Sequence, residues 1–478
     1  MRTLQVNNVA WVDCKFINDR MDSSSYITQI NMGLFDLYKK ESTDFQIKTL
    51  DDICNKIVDG PFGSDILEED YVEQGVPFIR VQNITEYGFE DSNLVFISEE
   101  ANKRISRSEC RPGDLVFTKT GRLGTVCVLN NEYSNYNIRG DLAKLQLKSQ
   151  IDPYYVMSYL NSNFGTKITN SYSSGSTRGR ILISNIKKIV IPIPSPEIQK
   201  YIGDKVRRAE ELREEAKRLK KEAEEILNRE LNLNKLEESL KSSINSKHNW
   251  ITSMDINDRI DSYYYKRRYI LVNQHLNDYE CIQIRDIASV DYGYMPTEDY
   301  ADENNGVPLI RVTNMIGNLL LDLSDLKYIS KSINIPDDKY VDDGDILVVQ
   351  CGNTTGKIAL MTKEVENYLY PSFCLRIKLR NKSINNKYLA LLMEMSIIQE
   401  QIWQSASYSS VRPNTTKPAI ENIRIPLIEK QKQEDVGALV EKYIDNIYQS
   451  KQLILEAKQD VEDLIEGNFD MSKVKANS

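Results

Sequence analysis

The sequence predicts an α+β protein: two α/β globular units, separated by two long helices that pair as an antiparallel coiled coil, with pseudo-twofold symmetry. Three observations predict it. The first is a repeat. Ile17-Asn18-Asp19-Arg20-Met21-Asp22-Ser23-Ser24-Ser25-Tyr26 returns as Ile256-Asn257-Asp258-Arg259-Ile260-Asp261-Ser262-Tyr263-Tyr264-Tyr265, with seven of ten positions identical. Gly75-Val76-Pro77-Phe78-Ile79-Arg80-Val81-Gln82-Asn83-Ile84 returns as Gly306-Val307-Pro308-Leu309-Ile310-Arg311-Val312-Thr313-Asn314-Met315, again seven of ten. In both cases the copies lie about half the chain apart, so the repeating unit is a domain and not a small solenoid element.

The second observation is helical periodicity after each copy. Ala209, Leu212, Ala216, Leu219, Ala223 and Ile226 alternate steps of three and four. So do Val440, Tyr443, Ile447, Ser450, Ile454, Ala457, Val461 and Leu464. Each is a coiled-coil seam, with Ser450 its weak point, and two such seams in one chain pair most simply with each other. The Lys, Arg and Glu residues around the first seam balance one another and read as a solvated face.

The third observation is a set of short β-like runs closed by turn residues. In the first copy these are Val76–Val81, Asp114–Thr118 and Thr125–Leu129. In the second they are Asp345–Val349 and Lys357–Met361. Pro112-Gly113-Asp114 and Asp343-Gly344-Asp345 are the turns that launch the shared strand. Helical stretches are expected near Pro153–Leu160 and Asn386–Gln404. Ile189–Pro194 and Ile423–Ile428, each an apolar run stopped by an Ile-Pro pair, end the two units. The expected division is an N-terminal extension 1–43, a first unit 44–195, a central helix 196–245, a linker 246–277 repeating the N-terminal element, a second unit 278–428, and a C-terminal helix with tail 429–478.

Composition bounds the function. Hydrophobic residues make up 41% of the 478, in short interrupted runs, which predicts a globular chain with no membrane span. No apolar signal core follows Met1, and the seven Cys contain no C-x-x-C pair, so free thiols in a reducing cytoplasm are expected. The net charge is −9, yet binding follows local potential, and three stretches are locally basic. Lys103–Arg122 carries six basic residues against two acids. Lys167–Lys188 and Gln401–Pro418 carry basic residues and no acid, and both precede the same Ile-Pro landmark.

These features together resemble the specificity subunits of type I restriction–modification systems. The resemblance rests on G-V-P-x-I-R-V-x-N (Gly75–Asn83, Gly306–Asn314), on G-D-(I/L)-(L/V) (Gly113–Val116, Gly344–Leu347), and on the Ile-Pro stretch running into Glu197–Lys200 or Glu429–Lys432. Gly60-Pro61-Phe62-Gly63-Ser64 is similar to the early glycine loop of such domains. The resemblance covers nearly the whole chain. It implies two target recognition domains, each reading one half of a split sequence in double-stranded DNA. It also implies two methyltransferase partner subunits, restriction/translocase partners, and S-adenosylmethionine bound by the partners and not by this chain. One departure is that the D-R-x-D-S-x-x-Y element precedes the first domain as well as the second.

The residues themselves offer little catalytic chemistry. N-P-P-[FY] and D-P-P-Y, which an amino-methyltransferase would carry, are absent. Cys351–Lys357 is too short between glycines for a phosphate loop, and Ile358 stands where Ser or Thr would bind magnesium. Pro336-Asp337 lacks the acid-x-Lys partner of a common nuclease core. His248 and His275 are the only histidines. A non-catalytic recognition subunit is therefore expected. The alternatives are a self-contained DNA methyltransferase or nuclease with atypical motifs, and a protein-interaction scaffold that reads no bases.

Base edges are read by Arg, Gln and Asn on loops beside strands. In the first unit the candidates are Arg80, Gln82, Asn83, Lys119, Thr120 and Arg122, with Ser174, Arg178 and Arg180 on the polar loop Ser174–Arg180. In the second they are Tyr292, Tyr294, Arg311, Thr313, Asn314, Gln350, Asn353, Tyr408 and Arg412. Arg80/Arg311 and Asn83/Asn314 are identical between copies, which suggests a shared task such as phosphate contact or fold support. Gln82/Thr313, Lys119/Gln350 and Arg122/Asn353 differ and are the candidates for discrimination. Most of the 27 Tyr are expected in the core or at subunit contacts.

Overall fold

The computed structural model describes residues 45–62, 65–91, 93–173, 179–243, 256, 259, 261–380, 383–406 and 413–476. The expected N-terminal extension lies outside the described residues. The chain divides into two compact units. One ends its first segment at Arg213 and takes up the chain again at Tyr448; the other runs from Glu214 to Ile447. Each long helix therefore contributes to both units.

The first unit begins with strand Phe45–Thr49, which pairs antiparallel with Val190–Pro194, Phe45 opposite Pro194 and Thr49 opposite Val190. The Ile-Pro run thus closes the unit against its own first strand. Thr49 then caps the short helix Leu50–Ile53. Its hydroxyl accepts from the Asp52 amide at 3.2 Å, and the Asp52 carboxylate accepts from the Thr49 amide at 2.8 Å. A four-stranded antiparallel sheet follows in the order Cys54–Asp59, Leu142–Leu147, Leu115–Thr118, Val126–Val128. A second sheet runs Asn137–Ile138, Val76–Ile79, Val95–Ile97, Tyr71–Val72. Gly113, at φ +88°, makes the turn into strand Leu115–Thr118.

Helices Pro153–Asn161 and Asn163–Ser171 cover the four-stranded sheet, and their tyrosines brace the closing strand. Tyr155 and Tyr159, both fully buried, donate to the carbonyls of Pro192 and Val190. Their apolar bodies fill the core with Leu115, Phe117, Leu145 and Ile191, while each hydroxyl finds a partner.

The second unit repeats this order. Strand Cys281–Gln283 pairs antiparallel with Arg424–Pro426. The four-stranded sheet runs Ala288–Tyr292, Cys374–Leu379, Ile346–Val349, Ile358–Leu360. Gly306–Leu309 pairs with Lys327–Ser330. Tyr388 donates to the Pro426 carbonyl at 2.8 Å, as Tyr155 does to Pro192. One expectation needs correction: Asn386–Gln404 is not a single stretch. Helices Asn386–Glu394 and Ser396–Ser405 are separated by Met395, which is extended at φ −76°, ψ 151°. The first unit breaks at the same place, at Ser162, whose hydroxyl caps the second helix by accepting from the Gly165 amide.

The long helices are Pro196–Glu230, of 35 residues, and Lys430–Glu466, of 37. At 1.5 Å per residue each is roughly 50–55 Å long. Within the first unit they run antiparallel: Tyr201 packs on Phe469, with ring centroids 6.1 Å apart, and the Lys205 ammonium lies 2.6 Å from Asp460 and 3.4 Å from Glu456. Of the seam residues, Ala209, Leu212, Ala216, Leu219, Ala223, Val440, Tyr443, Ser450, Ile454, Ala457, Val461 and Leu464 are buried, whereas Ile447 is only half-buried, with Ile444 buried instead. Near the end of the first helix the seam shifts: Leu227 is buried and Ile226 only partly so. The central segment is also not one helix from 196 to 245. Asn232, at φ +49°, ends the long helix, and Leu233–Ser243 forms a second one. Asn tolerates this left-handed conformation better than most residues. Among the described residues no helix is long and apolar enough to cross a membrane.

Candidate nucleic-acid interface

The G-V-P-x-I-R-V-x-N signature folds as a strand leading into one turn of 3-10 helix, Val81–Asn83 in the first unit and Val312–Asn314 in the second. Asn83 is fully buried. Its carbonyl accepts from the Arg80 amide at 3.0 Å and its amide donates to the Glu90 carbonyl at 2.9 Å. Asn314 does the same with the Arg311 amide at 2.8 Å and the Asp322 carbonyl at 2.9 Å. Arg80 donates to the Asn93 carbonyl, and Arg311 to the carbonyl and carboxylate of Asp325. The two Asn side chains spend their polar atoms on their own turn, and each Arg donates there through one terminal nitrogen. Of the two shared tasks expected for Asn83 and Asn314, these bonds and their burial fit fold support. Gln82 and Thr313 stand exposed at the crown of each turn.

The second loop follows the launched strand. Lys119 donates its amide to the Asp141 carbonyl at 2.8 Å and accepts at its carbonyl from Ile181 at 3.1 Å. Gln350 does the same with Phe373 at 2.8 Å and Thr415 at 3.0 Å. Thr120 bridges Arg180, and Cys351 bridges Asn414. Three chain segments thus converge on one edge in each unit. Gly121, at φ +75°, also brings the first of these loops against Val81 of the signature turn, 3.6 Å from where a Cβ would sit. Gly60 and Gly293 complete the match. A Cβ at either would sit 2.3 Å from a carbonyl oxygen, that of Ile138 or Pro371.

These backbone equivalences align the side chains of the two edges, and the chemistry differs. In the first unit Asp59 stands where the second has Tyr292, and Asp141 where it has Phe373. Lys119 is 3% exposed, with its ammonium 3.3 Å from Asp59. Burial holds its pKa below the usual value, against the pull of Asp59. Lys119, a candidate for discrimination, follows directly on strand Leu115–Thr118 and is turned into this pair. Thr120 donates to Asp141 at 3.2 Å. Arg122 and Arg180 are exposed on the same edge. Beside it, a pocket of about 460 Å³ is lined by Asp59, Phe62, Arg104 and Arg107 among others.

The second edge is aromatic and amide-rich. Tyr292 is 41% exposed and Phe373 53%. The Tyr292 hydroxyl accepts from the Lys417 amide at 3.4 Å. Tyr294 donates to Glu298 at 2.6 Å, and that carboxylate pushes the phenol up to about 12. Asn353 is exposed on the loop and Gln350 is half-buried at its base. Ser174, Arg178, Tyr408 and Arg412 lie outside the described residues. Sequence reasoning missed Asp59, Asp141, Phe373 and Asn414. The signal was the copy alignment around Gly60 and Gly293, which a search for Arg, Gln and Asn alone passes over.

A family model described as type I restriction modification DNA specificity domain matches the chain twice, over residues 42–225 and 276–459. The type I restriction enzyme MjaIX specificity subunit of Methanocaldococcus jannaschii is 25% identical over 295 residues, 59% of this chain and 60% of that protein. The EcoBI specificity subunit of Escherichia coli is 27% identical over 165 residues, 34% of each. The matched regions thus span less than two thirds of these curated relatives. A solved type I restriction–modification S subunit from M. genitalium aligns over 90% of this chain and 97% of that one, at 13% identity and a TM-score of 0.46.

Proposed function

Because the chain belongs to the type I restriction modification DNA specificity family, we propose that it is the DNA sequence-recognition subunit of a type I restriction–modification complex. Each unit reads one half of a bipartite target in double-stranded DNA. The observation that carries this reading is the pair of equivalent edges: the same backbone bonds hold the same three segments in both units, but the exposed side chains differ. A repeated scaffold with diverged contact residues is what two different half-sites require.

The chain carries no catalysis in this reading. Methyl transfer from S-adenosylmethionine takes place on two methyltransferase subunits that it tethers, and cleavage and translocation on further subunits. Its own residues position the partners on the sequence. Much of the phosphate neutralisation then falls to those partners, since this chain is acidic overall.

Expression with its genomic neighbours, followed by mapping of methylated bases, tests the proposal. A split, asymmetric motif is expected. A continuous motif, or methyl transfer by the purified chain alone, overturns it.

A further inference from the structure

We propose that the second unit reads thymine 5-methyl groups in its half of the target through Tyr292 and Phe373, at the positions where the first unit presents carboxylates. This rests on the recognition function proposed above and names the chemistry of one of its two edges.

The substitution of chemistry is consistent along the edge. Asp59, Lys119, Asp141 and Arg180 of the first unit are matched by Tyr292, Gln350, Phe373 and Asn414 of the second, by backbone hydrogen bonds and β-bridges. Every charged group in that set has an uncharged counterpart. Tyr292 pairs across the sheet with Leu375, two residues beyond Phe373, so the two rings stand on neighbouring strand ends. Both are left substantially in water, at 41% and 53% exposure. Aromatic groups of this size gain by covering apolar surface.

The duplex offers one apolar group of that kind on its major-groove edges, the methyl of thymine. The neighbouring side chains fit the other half of the same base pair: Gln350, Asn353 and Asn414 are amides, which pair with adenine N6 and N7. A protein partner would fit the rings but leaves the row of amides without a purpose. On the first edge, Asp59 and Asp141 accept hydrogen bonds and repel no amino group; they give a thymine methyl nothing to pack on.

The test uses the whole complex. Once the target is mapped, each thymine in both half-sites is replaced singly by deoxyuridine, which removes the methyl and leaves the pairing unchanged. Competition binding then compares each substituted duplex with the parent. At least one thymine, in one half-site only, is expected to lose about three- to fivefold in affinity on losing its methyl. Phe373→Ala or Tyr292→Ala abolishes that difference, and Phe373→Leu retains most of it. Binding that is sequence-selective but indifferent to uracil at every position overturns the inference while leaving the recognition function standing. So does a uracil effect that survives both aromatic variants, or a Phe373→Ala chain that binds DNA normally but loses a partner subunit. A complex with no sequence selectivity at all overturns the function itself.

Discussion

Asn83 and Asn314 show how one side chain holds the signature turn. Each accepts from the amide three residues before it and donates to a carbonyl farther along the chain. Asn83→Ala removes the side-chain bonds to the part-buried Arg80 amide and Glu90 carbonyl, at a cost of about 1–3 kcal/mol in all. Denaturant unfolding should show that loss for either variant, with the preferred DNA sequence unchanged. Asp345 makes a second prediction. Burial pushes its carboxyl up to about 6, against the Asp342 amide and Arg376. The folded chain therefore holds this proton more tightly than the unfolded one, whose carboxyl titrates near ~3.9. The group's contribution is full below about pH 4 and is lost as the pH rises to about 6, roughly 3 kcal/mol in all. Asp345→Asn should flatten the fall in melting temperature between pH 4 and 6 relative to the parent; parallel curves would refute it. At this scale the sequence was half legible. Identity between copies marked the structural residues, but residue type alone could not show that Lys119 faces inward to Asp59.

The seam is the most legible element, because its heptad spacing is a property of sequence and its burial follows from geometry. Its weak point was legible too. Ser450 is fully buried, and its hydroxyl has no hydrogen-bond partner among the described residues. Ser450→Ala removes that unmet group and adds helix propensity, so stability should rise by about 1–2 kcal/mol. Thermal unfolding of the full chain measures it, and a lower midpoint would show that the hydroxyl is satisfied in solution. The breaks at Asn232 and Met395 were not legible. Both interrupt segments whose apolar spacing continues, and a periodicity reading has no term for one residue leaving helical geometry. The strands named from the sequence fall within a residue or two of those observed, but Cys54–Asp59, Leu142–Leu147, Ala288–Tyr292 and Cys374–Leu379 of the four-stranded sheets were not among them.

For the whole molecule, the long helices make a quantitative prediction. Seven residues inserted into each preserve the phase of the seam and add roughly 10 Å of helix. DNA rises ~3.4 Å per base pair, so the unread gap of the mapped motif should widen by about three base pairs, with both half-sites unchanged. Altered half-sites with a constant gap would show that the helices do not act as spacers. The order of units and helices was legible from the repeat and the two seams. The edge proposed to read DNA was not, since it joins segments brought together only by the sheet, such as Lys119, Asp141 and Ile181.

The pairing of Phe45–Thr49 with Val190–Pro194, and of Cys281–Gln283 with Arg424–Pro426, places the way into each unit directly beside the way out. Whatever the chain does between those strands, it returns to nearly the point it left. An interior of different length can therefore be carried between the same two strands, provided it keeps the residues that meet the long helices, such as Asp152 against Arg207 and the Asn318 carbonyl against Tyr443.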